Sequence, residues 1–286
     1  MQKLLPDELK ELWETVDERD FTGEQFYHEQ QRRLGRYRAT WEQALILPGQ
    51  PDLKSSLVWE LGRYLGETDL DRLWRRCSEA TERMRAEWEE QVDARDRHAV
   101  ESYYDDSQAT MDELVWWHTL EDDLSPLAYV TALEFARRHR CGAYLDFGSG
   151  IGSGGVLFGR NGFDVTVADI SPSLLGFNRW RFEVRDLPGR IVDTSTATLP
   201  ENAFDLITAM DVFEHLVDPV EMAEMLWTTL RPGGFLFGRF GVEEDENKPM
   251  HIVQDFGPMF ERMGELGMVE VWRDEWLWGH QAFRKP

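Results

Sequence analysis

Residues 144–155 read YLDFGSGIGSGG, and they hold the chemistry most easily seen in this chain. An apolar strand pattern at 143–147 ends in the glycines, and a helical pattern follows. Glycine lets a backbone turn sharply and approach a ligand with no Cβ between them. The helix start beyond it offers unpaired N–H groups and the positive end of a dipole. Such a turn can cradle a nucleotide or a nucleoside-like cofactor. Gly150-x-Gly152-x-x-Gly155 matches the dinucleotide pattern, a weak signal when alone. Asp146 separates the options. A carboxylate just before the first glycine would repel a pyrophosphate and suits a cationic or hydroxyl-bearing ligand. Asp169 ends a second strand pattern at 164–169, where an acid can accept both hydroxyls of a ribose.

S-adenosylmethionine (SAM) carries an ammonium, a sulfonium and a ribose, and no phosphate. The run Leu145-Asp146-x-Gly148-x-Gly150-x-Gly152 resembles the first motif of the class I SAM-dependent methyltransferases. Residues 204–219, FDLITAMDVFEHLVDP, resemble that family's fourth strand and the loop after it. Residues 230–238, LRPGGFLFG, resemble its turn into the fifth strand. The resemblance covers residues 125–286 and implies an α/β fold. Its core would be a Rossmann-like, seven-stranded, mostly parallel sheet flanked by helices and closed by an antiparallel hairpin. It also implies SAM as cofactor. Asp146 would act at the ammonium, directly or through water, with Gly148, Gly150 and Gly152 giving close approach. Asp169 would hold the ribose. Asp193, ending the third strand, would face the adenine amino group or else be a solvated loop acid. Met210 and Asp211 would lie beside the sulfonium. Trp117, in Trp116-Trp117-His118, falls with Tyr103-Tyr104 where small-molecule members carry a lid. These rings could bind an apolar substrate or meet the sulfonium by cation–π attraction; packing between domains is the plainer alternative.

Methyl transfer needs few protein groups: alignment, and a base if the acceptor must lose a proton. His215 and His251 are the candidate catalytic bases, both expected at the C-terminal edge of the sheet. On a helical turn, Asp211-x-x-Glu214-His215 would share one face. With His251 this makes a carboxylate and imidazole set able to hold a divalent metal. The pattern resembles the metal set of ubiquinone-pathway O-methyltransferases and small-RNA 2′-O-methyltransferases, which have Glu where this chain has Asp211. The same Glu-His-Leu-x-Asp-Pro run is common in relatives without metal, so metal dependence stays open.

These groups need a scaffold. Residues 1–124 read as helices, with apolar stripes at Leu5, Leu9, Leu12, Trp13 and Val16, then at Tyr27, Leu34, Tyr37, Trp41 and Leu45. The stretch 47–51 breaks the pattern. A further long helix would carry Leu70, Leu73, Trp74, Cys77, Met84 and Trp88 on one side. Ser125-Pro126 opens another helix, with Ser as N-cap and Pro in the first turn. Strands at 143–147, 164–169, 190–193, 204–210 and 234–240 then alternate with helices near 153–161, 172–186 and 219–230. A helix near 255–266 and strands near 268–273 and 277–284 end the chain. The alternation implies a parallel, doubly wound sheet. Two regions follow: an all-helical 1–124, serving as lid, substrate wall or oligomerisation surface, and a SAM-binding domain at 125–286.

The 286 residues include 54 Asp and Glu against 31 Lys and Arg, a net charge of −23. Such acidity disfavours nucleic acid, whose phosphates reward basic surfaces, and anionic membranes as well. Cys77 and Cys141 form neither a metal spacing nor a disulfide framework. With no apolar signal core or membrane-length run, a cytoplasmic protein is expected. The leading expectation is a methyltransferase acting on an oxygen or nitrogen of a small molecule, a specialised metabolite. A protein or peptide methyltransferase is the alternative, its acidity drawing a basic partner. An NAD-dependent oxidoreductase is a third, against which Asp146 and the Asp-Val-Phe-Glu-His and Arg-Pro-Gly-Gly segments weigh. The Trp- and Leu-rich helices could bury a homodimer interface as readily as an intrachain one. The acidic run 243–246 could border the substrate entrance.

Overall fold

In the computed structural model every side chain of β1 (Ala143–Phe147) is buried, as a parallel strand covered on both faces requires. β2 (Asp164–Asp169) and β4 (Phe204–Ala209) flank it in parallel. β3 (Arg190–Asp193) pairs with β2, and β5 (Leu230–Arg239) with β4, again in parallel. β6 (Val269–Arg273) and β7 (His280–Arg284) form an antiparallel hairpin, with β7 against β5. The order is β3-β2-β1-β4-β5-β7-β6, the seven-stranded Rossmann-like sheet expected from the sequence. Strand order reverses between β1 and β4, which leaves a crevice at their C-terminal ends. The structure describes residues 4–5, 7–15, 22–120, 125–242, 248–253, 255–274 and 279–286. Val16, the acidic run 243–246 and the start of the expected 277–284 strand lie outside the described residues.

Side chains alternate across the sheet with period two. Tyr144 and Leu206 enter one core with α8 (Ala128–Arg138), α9 (Ser153–Arg160) and α10 (Pro172–Val184). Leu145 and Ile207 enter the other, with α11 (Pro219–Thr229) and α12 (Gly257–Glu265). The helix expected from Ser125 opens with a 3-10 turn, Ser125–Leu127, before α8 begins.

The N-terminal region is helical among its described residues: α1 (Asp7–Glu14), α2 (Gly23–Leu45), α3 (Leu53–Leu65), α4 (Leu70–Ser78), α5 (Ala80–Gln91), α6 (Arg97–Asp106) and α7 (Gln108–Thr119). It is not a loose attachment. The first core runs on without a gap through Leu34 and Trp41 of α2 and Leu57 and Leu61 of α3. Glu60 of α3 is fully buried between Arg181 and Arg185 of α10, at 3.0 and 2.6 Å. The single helix expected through 70–88 is instead two, parted at Glu79. Leu73 and Cys77 enter the first core. Met84 and Trp88 enter a third, smaller cluster with Val100, Tyr103, Ala109 and Met250. One apolar stripe feeding two cores has to change direction between them. No helix among the described residues is long and apolar enough to cross a membrane.

Candidate active site

The C-terminal ends of β1, β2 and β4 open into a cavity of about 330 Å³. Gly148 and Gly150 line it in left-handed conformations, with φ of +64° and +53°. A Cβ at 148 would come within 2.5 Å of Val212, and one at 150 within 2.8 Å of Leu114. The positive φ favours glycine at both positions, and Val212 leaves no room for a Cβ at 148. Asp169 lines the same cavity from the tip of β2. The Gly150 N–H donates to its Oδ2 at 2.8 Å, and the Ser171 N–H to its Oδ1 at 3.1 Å. A carboxylate has about four acceptor sites, and with the Ile170 N–H also bearing on it, capacity for a neighbouring hydroxyl remains. Burial raises the Asp169 pKa, against these backbone hydrogen bonds. The Gly150 N–H, which a pyrophosphate would use, is already taken. A ribose-bearing ligand without phosphate, such as SAM, fits this turn better than a dinucleotide.

Met210, Asp211 and Trp117 also line the cavity, but Asp146, Gly152 and Asp193 do not. The Asp146 carboxylate turns the other way, accepting from the Gly155 N–H and the Thr208 hydroxyl, each at 3.0 Å. Burial raises its pKa to about 7, opposed by these hydrogen bonds. It ties β1 to α9 and β4. Gly152 serves packing: a Cβ there would sit 2.1 Å from Asn178 Oδ1. Asp193 is the solvated alternative. It accepts from the Ser195 N–H at 2.9 Å, and Ser195 holds its carboxyl below the usual range. Thr194, one residue on, lines the cavity instead, its N–H donating to the Asp169 carbonyl at 3.0 Å.

His215 and His251 meet at the cavity wall, ring centroids 4.9 Å apart and nearly perpendicular. His215 Nδ1 lies 3.0 Å from the Met250 carbonyl oxygen. A carbonyl only accepts, so Nδ1 carries the proton and Nε2 the lone pair. Tyr104 Oη stands 2.9 Å from the same Nδ1. Burial, and then the neighbouring His251, push the His215 pKa down to about 4, so the ring is neutral at pH 7. Glu214, His215 and His251 each offer one donor atom, all within 4.8 Å of one another. One carboxylate and two imidazoles are a donor set that suits a divalent transition metal. Asp211 is not part of it. Its backbone is left-handed at φ +50°, the 3-10 turn beyond spans only Phe213–His215, and its carboxylate pairs with Arg239 at 3.2 Å.

Comparison with known proteins agrees with this geometry. The model of a methyltransferase domain matches residues 116–248. Over this segment, a little under half of its length, the chain is similar to a methyltransferase domain. Over 95 residues the chain is 33% identical to the ubiquinone biosynthesis O-methyltransferase of Coxiella burnetii, a match covering 32% of this chain and 41% of that protein. Over 97 residues it is 33% identical to the phosphoethanolamine N-methyltransferase of Triticum aestivum, covering 32% of this chain and 18% of that one. The chain thus spans less than half the length of both relatives. A solved SAM-dependent methyltransferase from Aquifex aeolicus, 17% identical, aligns over 57% of this chain and 93% of its own, with a TM-score of 0.46.

The methyltransferase match begins inside α7, so it takes in Trp117 and His118. The two tryptophans divide the roles foreseen for them. Trp116 packs on Trp74, ring centroids 4.9 Å apart. Trp117 lines the cavity with the Lys248 ammonium 5.3 Å from its ring. His118, Tyr129 and Thr194 also form cavity wall, yet no motif marks them. The only hint of His118 was its place directly after Trp117.

Proposed function

We propose that this chain transfers a methyl group from SAM to an oxygen or nitrogen of a small specialised metabolite in the cytoplasm. Residues 1–124 would wall the acceptor site, and residues 125–286 would hold the cofactor. The supporting observation is one cavity shared by both regions. Gly148, Gly150 and Asp169 lie on its sheet side, and Met84, Val100, Tyr104 and Leu114 of α5–α7 on the other. When bound, SAM supplies an activated methyl group. Asp169 holds the ribose hydroxyls with its remaining acceptor sites. The apolar helices exclude water and align the acceptor. His215 takes the acceptor's proton at Nε2, while Met250 and Tyr104 hold its other nitrogen in place. The relatives named above, one an O- and one an N-methyltransferase, support either acceptor atom. An acceptor side closed by helices favours a small molecule over a folded protein.

A second reading adds a metal. A divalent cation held by Glu214, His215 and His251 would lower the pKa of an acceptor hydroxyl.

Calorimetric titration with SAM, S-adenosylhomocysteine and NAD, each with magnesium and with EDTA, tests the cofactor. A screen of phenols and amines against basic peptides tests the acceptor. Binding of NAD without S-adenosylhomocysteine would sink the cofactor assignment. Turnover of basic peptides alone would move the reading to protein methylation. Activity lost in EDTA and restored by a divalent cation would favour the metal.

A further inference from the structure

His118 of α7 belongs to neither candidate base, yet its neighbours decide where its proton sits. Arg181 has donors only, and its Nη1 donates to Ser153 Oγ at 3.3 Å. Ser153 Oγ lies 3.0 Å from His118 Nδ1. Ser153 is fully buried. Among the described residues, His118 Nδ1 is the one acceptor its hydroxyl reaches. A proton on Nδ1 would leave that buried hydroxyl without an acceptor, a costly state. The Ser153 hydroxyl therefore donates to Nδ1, and the neutral ring carries its proton on Nε2. Burial pushes the His118 pKa down to about 3, so the ring is neutral in the working range.

Arg181 has little freedom to act otherwise. Glu60 of α3 receives its Nε at 3.1 Å, and the Ile151 carbonyl, in the glycine turn, accepts from its Nη1. A buried relay thus runs from Glu60 through Arg181 and Ser153 to His118. With Nδ1 turned to Ser153, the Nε2–H edge is the one left to face the cavity that His118 lines.

We infer that His118 Nε2–H is a binding-site donor for a carboxylate at the amino-acid end of the ligand. The inference rests on the SAM reading. Asp169 marks the ribose end at the tip of β2. Asp211 follows β4, two strands away, or about 10 Å at the usual strand spacing. His118 feels the Asp211 charge and touches the first residue of α9, just past the glycines. A ligand extending from its ribose toward β4 brings a zwitterionic end here. A neutral donor, beside an Asp211 carboxylate that Arg239 shares at 3.2 Å, is the complement of that end. Ser153 and Arg181 are positioning residues, acting through His118.

The test compares two ligands by calorimetry. S-adenosylhomocysteine has the amino-acid end, and 5′-methylthioadenosine has the same nucleoside without it. His118→Ala is expected to weaken S-adenosylhomocysteine about tenfold or more, the range of a hydrogen bond to a charged group. Methylthioadenosine should change less than about twofold. His118→Gln, which keeps a donor, should recover most of the affinity. Ser153→Ala should show the same ligand selectivity more weakly. Equal loss for both ligands would overturn the inference, as would unchanged S-adenosylhomocysteine affinity or loss confined to an acceptor. If the unsubstituted protein binds neither ligand, the SAM reading fails and this inference with it.

Discussion

Tyr104 Oη lies 2.9 Å from His215 Nδ1, joining α6 of the helical region to the loop after β4 across 111 residues of sequence. The candidate base is thus held from the helical side as well as by its own domain. Burial keeps the Tyr104 hydroxyl protonated well above its usual range. Tyr104→Phe removes one neutral hydrogen bond of about 1 kcal/mol. The expected outcome is about a fivefold loss of kcat with unchanged affinity for S-adenosylhomocysteine. Equal losses in both would show that the contact only supports the cavity wall.

Asp169→Asn keeps the shape at the tip of β2 but weakens acceptance from hydroxyls. S-adenosylhomocysteine binding should fall at least about tenfold by calorimetry, the scale of a charge-assisted hydrogen bond. Unchanged affinity would remove the ribose from this carboxylate.

The imidazoles give a pH dependence of fixed sign. His215 has a folded pKa of about 4 against the ordinary 6.5. Between those values the unfolded chain binds a proton that the folded ring refuses. Its contribution to stability is therefore complete above pH 6.5 and is lost as pH falls toward 4, by up to about 1.4 kcal/mol per unit. His118, at about 3, acts in the same direction. Asp146, raised to about 7, acts in the opposite one. The informative quantity is hence the difference between His215→Gln and the parent protein. Thermal melts at pH 7 and pH 5 should show a smaller acid-side drop for the variant. In the parent, turnover should lose its base near pH 4, not near 6.5.

Glu60 is flanked by two fully buried guanidiniums. Arg185 is further committed to the Leu45 carbonyl at 2.7 Å. Glu60→Ala leaves both charges unpaired inside the first core and should cost about 3–5 kcal/mol in denaturant unfolding. A loss below about 1 kcal/mol would mean that water reaches the pair in solution.

The sheet was legible because its strands are short apolar runs set between helical patterns: β1 to β4 fall where those runs fall, while β5 starts four residues early, at Leu230, taking in the expected Arg-Pro-Gly-Gly turn. Asp169, Gly148 and Gly150 were legible because they sit at strand ends, where position alone dictates exposure to the crevice. Motif position says which strand carries Asp146, not that its carboxylate accepts from Gly155 and Thr208 instead of lining the cavity. Asp193 ends β3 just outside the cavity lining, where Thr194 holds the adjacent place. Asp211 left the metal set because Arg239, 28 residues away, claimed its carboxylate. His118 was hidden more deeply. Its proton depends on Ser153, Arg181 and Glu60, which meet only once α3, α7, α9 and α10 have packed.

The break at Glu79 has a kinetic consequence. Met84, Trp88, Val100 and Tyr103 form a satellite cluster set apart from the two sheet cores. At its rim Arg97 of α6 reaches Glu221 of α11 through a half-exposed ion pair at 2.7 Å. A small cluster tied by a solvated pair opens at lower free energy than a continuous core. Amide hydrogens of α5 and α6 should therefore exchange earlier than those of β1 and β4. Met250 belongs to the same cluster, and its carbonyl keeps the His215 proton on Nδ1. Opening of that cluster should therefore also loosen the hold on the His215 ring, which would show as earlier exchange around Met250 than in β1.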